Sequence, residues 1–181
     1  LPIAAVADAG CETILAGCTT VTEIDSDSTR PAPLLTATLY SSASDGATLA
    51  RLSVAPVAQV PPEILDIVDY VLVNEIEGRA IAVTPGNNVI DRMQLPGVLS
   101  RRHGFLCVMT LGSNGAIAAI GETQWQIPAL PVKDVIDTTG AGDAFAGCFA
   151  AAMSRGQDVE GALRFASVGA GLSCSKLGAQ P

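Results

Sequence analysis

The sequence predicts an α/β domain built on a mostly parallel central sheet. From Arg51 onward, apolar runs of strand length alternate with segments of helical character. The run at 70–73 is continuously apolar, and the run at 105–111 is apolar except for Thr110, which is typical of strands covered on both faces. Hydrophobic residues make up 49% of the 181 residues and charged residues only 15%, so the chain can form a sizeable core.

Composition excludes several function classes. The formal charge of -8 argues against non-specific nucleic-acid binding, which requires a basic surface. No run approaches the roughly 18 apolar residues of a membrane span, and no secretory signal is recognisable. The five cysteines form no C-x-x-C pair, which argues against a disulfide framework or a zinc site and favours a reducing, cytoplasmic compartment. We expect a fragment, because the chain begins with Leu1.

The first 50 residues are weakly patterned, whereas the rest gives clearer elements. Short strands are expected at Leu1–Val6, Thr13–Leu15 and Leu34–Tyr40. A helix is expected from Pro61 to about Val68, with proline in the first turn. The remaining expected elements are, in chain order, a strand at Tyr70–Val73, a helix at Glu75–Ile81, a helix at Asn88–His103 kinked or broken at Pro96, a strand at Phe105–Leu111, a turn at Gly112–Gly115, strands at Ala116–Ile120 and Thr123–Ile127, a helix at Ala141–Met153, and a helix from Val159 to about Lys176 capped by Asp158.

The segment from Asp137 to Phe145 is the most informative one for chemistry. Gly140 and Gly142 leave the backbone bare, and the helix that follows presents its free N–H groups there, which favours an anion. Asp143 could take a proton from a hydroxyl that attacks phosphorus. Alternatively, Asp143 is only a first-turn carboxylate favoured by the helix dipole, and loop physics alone leaves both interpretations open. Neither G-x-G-x-x-G nor G-x-x-x-x-G-K-[ST] is present.

The string DTTGAGDAF resembles the C-terminal signature of the ribokinase family, the phosphofructokinase-B-type carbohydrate kinases. Three more segments resemble family motifs in the expected order: Asn74–Glu77 (N-x-x-E), Thr110–Gly115 (T-L-G-x-x-G), and Phe165–Ser167 through Gly178–Pro181. Taken alone, the first of these would be an ordinary helix cap and the second a hairpin turn.

The resemblance implies a ribokinase-like three-layer α/β/α fold whose N-terminal part and lid are truncated or missing. Residues 1–50 would be a remnant of the substrate and lid region, and residues 51–181 the nucleotide-binding and phosphoryl-transfer region. By the same resemblance, Asp143 would be the catalytic base. The N–H groups of Gly140, Ala141 and Gly142 would form the anion hole.

The resemblance also implies ATP, Mg²⁺ and a monovalent cation, K⁺, as cofactors. The implied binding residues are Asn74 and Glu77 around Mg²⁺ and phosphate, Thr110, Gly112 and Gly115 along the nucleotide, Ser167 at adenine, and Asp137 and Thr139 with backbone oxygens near Ser173, Lys176 and Gly178 at the monovalent cation.

The implied activity is phosphorylation of a sugar hydroxyl, most specifically D-ribose to ribose 5-phosphate. The ribose preference depends on the Gly178–Pro181 ending and on Ala55–Ala58, both ribokinase-like. Another sugar or a nucleoside would use the same chemistry. Because no G-G pair of the family's sugar segment is present, a catalytically incomplete nucleotide-binding module is a further alternative. Family members often form homodimers through lid strands, and a homodimer is possible here.

Overall fold

The computed structural model describes residues 18–22, 34–41, 48–55, 65, 68–82 and 90–178. The strands predicted at Leu1–Val6 and Thr13–Leu15 lie outside these residues, as does most of the helix predicted from Pro61 to Val68. The predicted boundary at residue 50 falls inside a strand, and the division into two regions stays a prediction.

A single sheet of seven strands runs through the described residues, in the same order as the chain. The strands are β1 (Cys18–Thr22), β2 (Leu34–Ser41), β3 (Thr48–Ala55), β4 (Tyr70–Asn74), β5 (Leu106–Thr110), β6 (Ala116–Ile120) and β7 (Thr123–Ile127). Strands β3, β4 and β5 are parallel neighbours, whereas β1–β2–β3 and β5–β6–β7 pair antiparallel.

The predicted α/β class is confirmed, but the sheet is mixed, so the expectation of a mostly parallel sheet is wrong for the described strands. The reason lies in the connections. A parallel pair needs a crossover of about a dozen residues, whereas short turns at 111–115 and 121–122 join β5 to β6 and β6 to β7. Only the central three strands have the connections that parallel pairing requires.

Four helices are described: α1 (Glu75–Ile81), α2 (Leu95–His103), α3 (Ala141–Ser154) and α4 (Val159–Ser173). Helix α2 begins seven residues later than the predicted Asn88, because Pro96 occupies its first turn, where a missing N–H has no cost. Pro96 is therefore a helix start and not a kink. Helix α4 ends at Ser173 and not at Lys176, with Cys174 as its C-cap.

The helices cover both faces of the sheet, which gives the three predicted layers. On one face, Val71 and Val73 of β4 pack with Leu95 and Leu99 of α2. On the other face, Leu72 joins a cluster formed largely by α3 and α4. This alternation along β4 follows from the two-residue period of a strand. None of the helices in these described ranges is both long and apolar enough to cross a membrane.

Helices α3 and α4 pack closely because small residues line their contact. A Cβ added at Gly169 of α4 would overlap the Cys148 thiol of α3, so only glycine allows this approach. The buried alanines Ala146, Ala150, Ala162 and Ala166 extend the same contact. The tight pairing fixes the N-terminus of α3 relative to the sheet.

Cys107 is buried as predicted, and desolvation raises the pKa of its thiol to about 12.

Candidate active site

A cleft of about 500 Å³ lies where parallel strands β4 and β5 end, between α3, α4 and the turn after β5. The register pairs Asn74 with Thr110, the last residues of these strands. The carboxyl edge of parallel strands is the usual ligand site of open α/β sheets. The lining residues are Asn74, Thr110, Gly112, Ser113, Gly115, Ala129, Leu130, Val132, Val135, Thr138, Gly140, Ala141, Gly142, Asp143, Phe145, Ser167, Ala170, Gly171 and Cys174.

The N-terminus of α3 forms one wall. Its N-cap, Gly140, has φ 78° and ψ 0°, a left-handed conformation that glycine adopts without strain. The Ala141 N–H donates to the Thr138 carbonyl at 3.2 Å. Among the described residues, no acceptor takes the N–H groups of Gly140 and Gly142. Two of the three predicted anion-hole donors are thus available to a ligand, whereas Ala141 has a long internal bond.

Asp143 occupies the first turn of α3, lines the cleft and is exposed. Its carboxylate lies on the wall that also carries the Gly140 and Gly142 N–H groups. A carboxylate beside anion-binding amides can accept a proton from a nucleophile while the amides stabilise charge on the group under attack. The structure therefore brings together the groups that the sequence analysis assigned to base and anion hole.

Asn74 and Glu77 form a reciprocal capping box at the start of α1. The Glu77 N–H donates to Asn74 Oδ1 at 2.9 Å, and the Asn74 N–H donates to Glu77 Oε2 at 2.7 Å. Because the cap engages Oδ1, the amide nitrogen is the group of the Asn74 side chain that can donate to a ligand in the cleft. Asn74 is exposed at the cleft, whereas Glu77 is buried.

A small cavity of about 70 Å³ adjoins the cleft beside this capping box, lined by Leu72, Val73, Asn74, Glu77, Thr110, Gly142 and Phe145. Within the described ranges, no three His, Cys, Asp or Glu side chains gather into a metal-binding cluster. A divalent ion here would depend on the Glu77 carboxylate, water and the oxygens of a ligand, which is the coordination that Mg²⁺ prefers.

Thr110 ends β5, and Gly112 and Gly115 lie in the turn that follows. The Leu111 N–H donates to the Gly115 carbonyl at 2.8 Å, and the Gly115 N–H donates to the Gly112 carbonyl at 3.1 Å. Gly115 has φ 93°, and an added Cβ would overlap the Ile127 carbonyl oxygen, so this position requires glycine. All three predicted nucleotide residues line the cleft.

The far end of the cleft is apolar. It is lined by Leu130, Val132 and Ala170, and Gly171 allows Leu130 to approach α4 closely. Ser167, predicted at adenine, lines this end and is buried, and its hydroxyl donates to the Pro128 carbonyl at 3.0 Å. The hydroxyl thus ties α4 to the segment after β7. Its contact with adenine stays a prediction.

The residues expected around a monovalent cation gather in two neighbouring loops. The Thr139 N–H donates to Asp137 Oδ1 at 2.9 Å, and the Gly178 N–H donates to Oδ2 at 3.0 Å. Both bonds favour the ionised carboxylate and hold the pKa of Asp137 below its usual range. The bond from Thr139 has the larger effect. Ser173 ends α4, and its carbonyl accepts the Lys176 N–H at 3.2 Å, which ties the start of the second loop to the helix.

Sequence reasoning missed the apolar wall formed by Ala129, Leu130, Val132 and Val135. Its signal was an apolar stretch between β7 and α3 that carries prolines and therefore forms no strand. Val135 remains 59% exposed, which marks this stretch as a surface able to contact a ligand.

Comparison with known proteins assigns the chain to a family. The sequence profile of the pfkB family carbohydrate kinases matches residues 21–181. A ribokinase from Lactococcus lactis is 37% identical over 126 residues, which cover 70% of this chain and 39% of that protein. A cytidine kinase from Thermococcus kodakarensis is 37% identical over 107 residues, covering 56% and 35%.

Solved structures agree with the fold. A ribokinase from Thermotoga maritima superposes with a TM-score of 0.62 at 31% identity, covering 70% of this chain and 42% of that one. Arabidopsis thaliana ribokinase complexed with ribose and ATP superposes with a TM-score of 0.61 at 34% identity, covering 68% of this chain and 40% of that one. The chain spans about two fifths of the length of these ribokinases. With the family profile matched over most of its length, the chain belongs to the pfkB family of carbohydrate kinases.

Proposed function

We propose that this chain carries the nucleotide-binding and phosphoryl-transfer region of an ATP-dependent sugar kinase. The observation that carries the proposal is the juxtaposition, in one cleft, of Asp143 with the Gly140 and Gly142 N–H groups, which donate to no acceptor in the described part of the chain. Phosphoryl transfer needs little more from a protein than positioning and charge stabilisation, and this wall supplies both.

In the proposed reaction, Asp143 accepts the proton of the acceptor hydroxyl as its oxygen attacks the γ-phosphorus. The bond from phosphorus to the bridging oxygen breaks, and ADP leaves. The Gly140 and Gly142 N–H groups donate to the transferred phosphoryl oxygens, on which negative charge is concentrated. The adenine base of ATP lies against the apolar wall at Leu130 and Val132, because this wall is the part of the cleft least able to solvate phosphate.

Two cations complete the proposed site. Mg²⁺, held through water by Glu77 and Asn74 and by the phosphates, would neutralise charge on the triphosphate. The Asp137 carboxylate and the backbone oxygens of the loops at Thr139 and 173–178 suit K⁺, since the N–H groups of Thr139 and Gly178 hold the Asp137 carboxylate ionised between these two loops. Dimerisation stays a prediction.

D-ribose is the proposed acceptor, with ribose 5-phosphate as product, because ribokinases recur among the relatives. A nucleoside is the second candidate. It is favoured by the similarity to the Thermococcus cytidine kinase and to a Schizosaccharomyces pombe adenosine kinase, which is 33% identical over 100 residues. Both acceptors offer a primary hydroxyl to the same base.

Calorimetry with ATP and Mg²⁺, followed by product analysis, tests the proposal. We expect the chain to bind ATP. Incubation with ribose, cytidine or adenosine in K⁺ buffer identifies the acceptor by the mass of the phosphorylated product. Binding of ATP without any product would indicate the incomplete module, and failure to bind ATP would contradict the proposed function altogether.

A further inference from the structure

Two loops that flank the cleft are joined to each other by backbone and side-chain bonds. We call this contact the clasp and define it as residues 136–139, before α3, together with residues 174–178, after α4. The Ile136 N–H donates to the Cys174 carbonyl at 2.9 Å, and the Asp137 N–H donates to the same oxygen at 3.3 Å. The Gly178 N–H completes the clasp by donating to Asp137 Oδ2 at 3.0 Å.

Asp137 is the centre of the clasp because its two oxygens serve different loops. Oδ1 accepts the Thr139 N–H within its own loop, and Oδ2 accepts the Gly178 N–H from the other loop. Gly178 has φ 83°, a left-handed conformation that presents its N–H to this carboxylate. Hydrogen bonds to a charged acceptor are stronger than those between neutral groups, so this carboxylate is the firmest connection between the two loops.

The clasp borders the cleft. Cys174, whose carbonyl accepts two of the clasp's bonds, lines the cleft. Directly after Asp137, the Thr138 carbonyl accepts the Ala141 N–H, and Gly140 follows with its left-handed φ. A displacement of Asp137 would therefore move the Gly140–Gly142 turn relative to the apolar wall.

We propose that Asp137 is a positioning residue that orients the anion-binding turn directly, through the clasp, without requiring a monovalent cation. The inference rests on the proposed function, since it concerns the same cleft. A bound cation would add contacts to the remaining lone pairs of Asp137 but would not replace its bonds to Thr139 and Gly178. The clasp thus supports phosphate binding even when K⁺ is absent.

Asp137→Asn separates this role from cation binding. The amide oxygen can still accept the Thr139 N–H, but the NH₂ group then faces the Gly178 N–H, so the bond between the loops is lost. We expect the affinity for ATP to fall about tenfold in tetramethylammonium buffer, where only the clasp can act, and at least as much in K⁺ buffer. Asp134→Asn, which removes an exposed carboxylate outside the cleft, is the matched control and should leave affinity unchanged.

A loss of affinity confined to K⁺ buffer would show that Asp137 acts only as a cation ligand and would overturn the proposal. Hydrogen exchange of the unliganded wild-type chain in tetramethylammonium buffer gives a test that requires neither a variant nor ATP binding. We expect the Thr139 and Gly178 amides to be protected and to exchange together, as one opening unit. Rapid exchange of Gly178 would overturn the clasp itself, whereas failure to bind ATP with an intact clasp would overturn only the proposed function.

Discussion

The two ends of the cleft are built in opposite ways. At the end formed by α3, the ligand-facing groups are backbone N–H groups and the Asp143 carboxylate, all at exposed or half-exposed positions. At the end formed by α4, they are apolar side chains such as Leu130 and Ala170, with the Ser167 hydroxyl bonded internally to Pro128. The helix dipole and bare backbone of the first end favour a negatively charged ligand group. The packed side chains of the second end favour an apolar group of matching shape. Substitutions at the α3 end should therefore change catalysis and phosphate affinity more than stability.

The largest effect is expected for Asp143→Asn. Removal of the proposed base should lower the rate of phosphoryl transfer by about 10²–10⁴-fold, the usual contribution of general-base catalysis. ATP affinity should change little, because the N–H groups proposed to bind phosphate are untouched. Steady-state rates combined with calorimetric ATP binding measure the two effects separately. Asp134→Asn is the control, and a variant at Asp143 with ordinary turnover would refute the base assignment.

Gly115→Ala should produce the largest loss of stability at the cleft. The added methyl would overlap the Ile127 carbonyl oxygen and would force alanine into φ 93°. We expect a loss of roughly 2–4 kcal/mol in the free energy of unfolding, measured by denaturant titration. Gly121→Ala is the matched control, since Gly121 also has a positive φ, 55°, but has open space where the added methyl would lie. Its expected cost is only about 1 kcal/mol. Equal losses at the two positions would contradict the close approach at Gly115.

Asn74→Asp should weaken ATP binding without unfolding the protein. Aspartate can accept the Glu77 N–H as asparagine does, so the cap and the thermal stability should be retained. The group that faces the cleft would change from an amide donor to a carboxylate oxygen, which repels a triphosphate. We expect about tenfold weaker binding by calorimetry. Asn74→Ser, which caps the helix without added charge, should lose less affinity, and the reverse order would exclude this orientation of the amide.

The smallest effect concerns pH. The pKa of Asp137 is lowered in the folded state, so its ionised form adds stability that is present above the ordinary pKa of about 3.9. That stability is lost as the pH falls through the lowered folded value. The difference in melting temperature between wild type and Asp137→Asn should therefore stay constant from pH 8 to 5 and shrink only below about pH 4. A difference that changes between pH 8 and 6 would assign the effect to another group.

The parts of the fold that local chemistry determines could be predicted from the sequence. Strands β6 and β7 were predicted with their observed bounds, and the glycines predicted to lie before a helix stand at the start of α3 and line the cleft. Sheet direction could not be predicted from apolar runs, because it depends on connection length. The start of α2 was misplaced because apolar spacing continues upstream of Pro96. The apolar end of the cleft was missed because Leu130 and Val132 lie in no regular element, and only tertiary packing makes them a wall.

The most direct test of the central claim compares amide NMR spectra of the chain with Mg²⁺–ADP and with a non-hydrolysable Mg²⁺–ATP analogue. The two ligands share base, sugar and two phosphates, so the spectral difference isolates the γ-phosphate. We predict that this difference is concentrated at the amides of Gly140, Gly142 and Asp143. Unchanged shifts at these three amides, with differences elsewhere, would contradict the assignment of the α3 turn as the phosphoryl-transfer site.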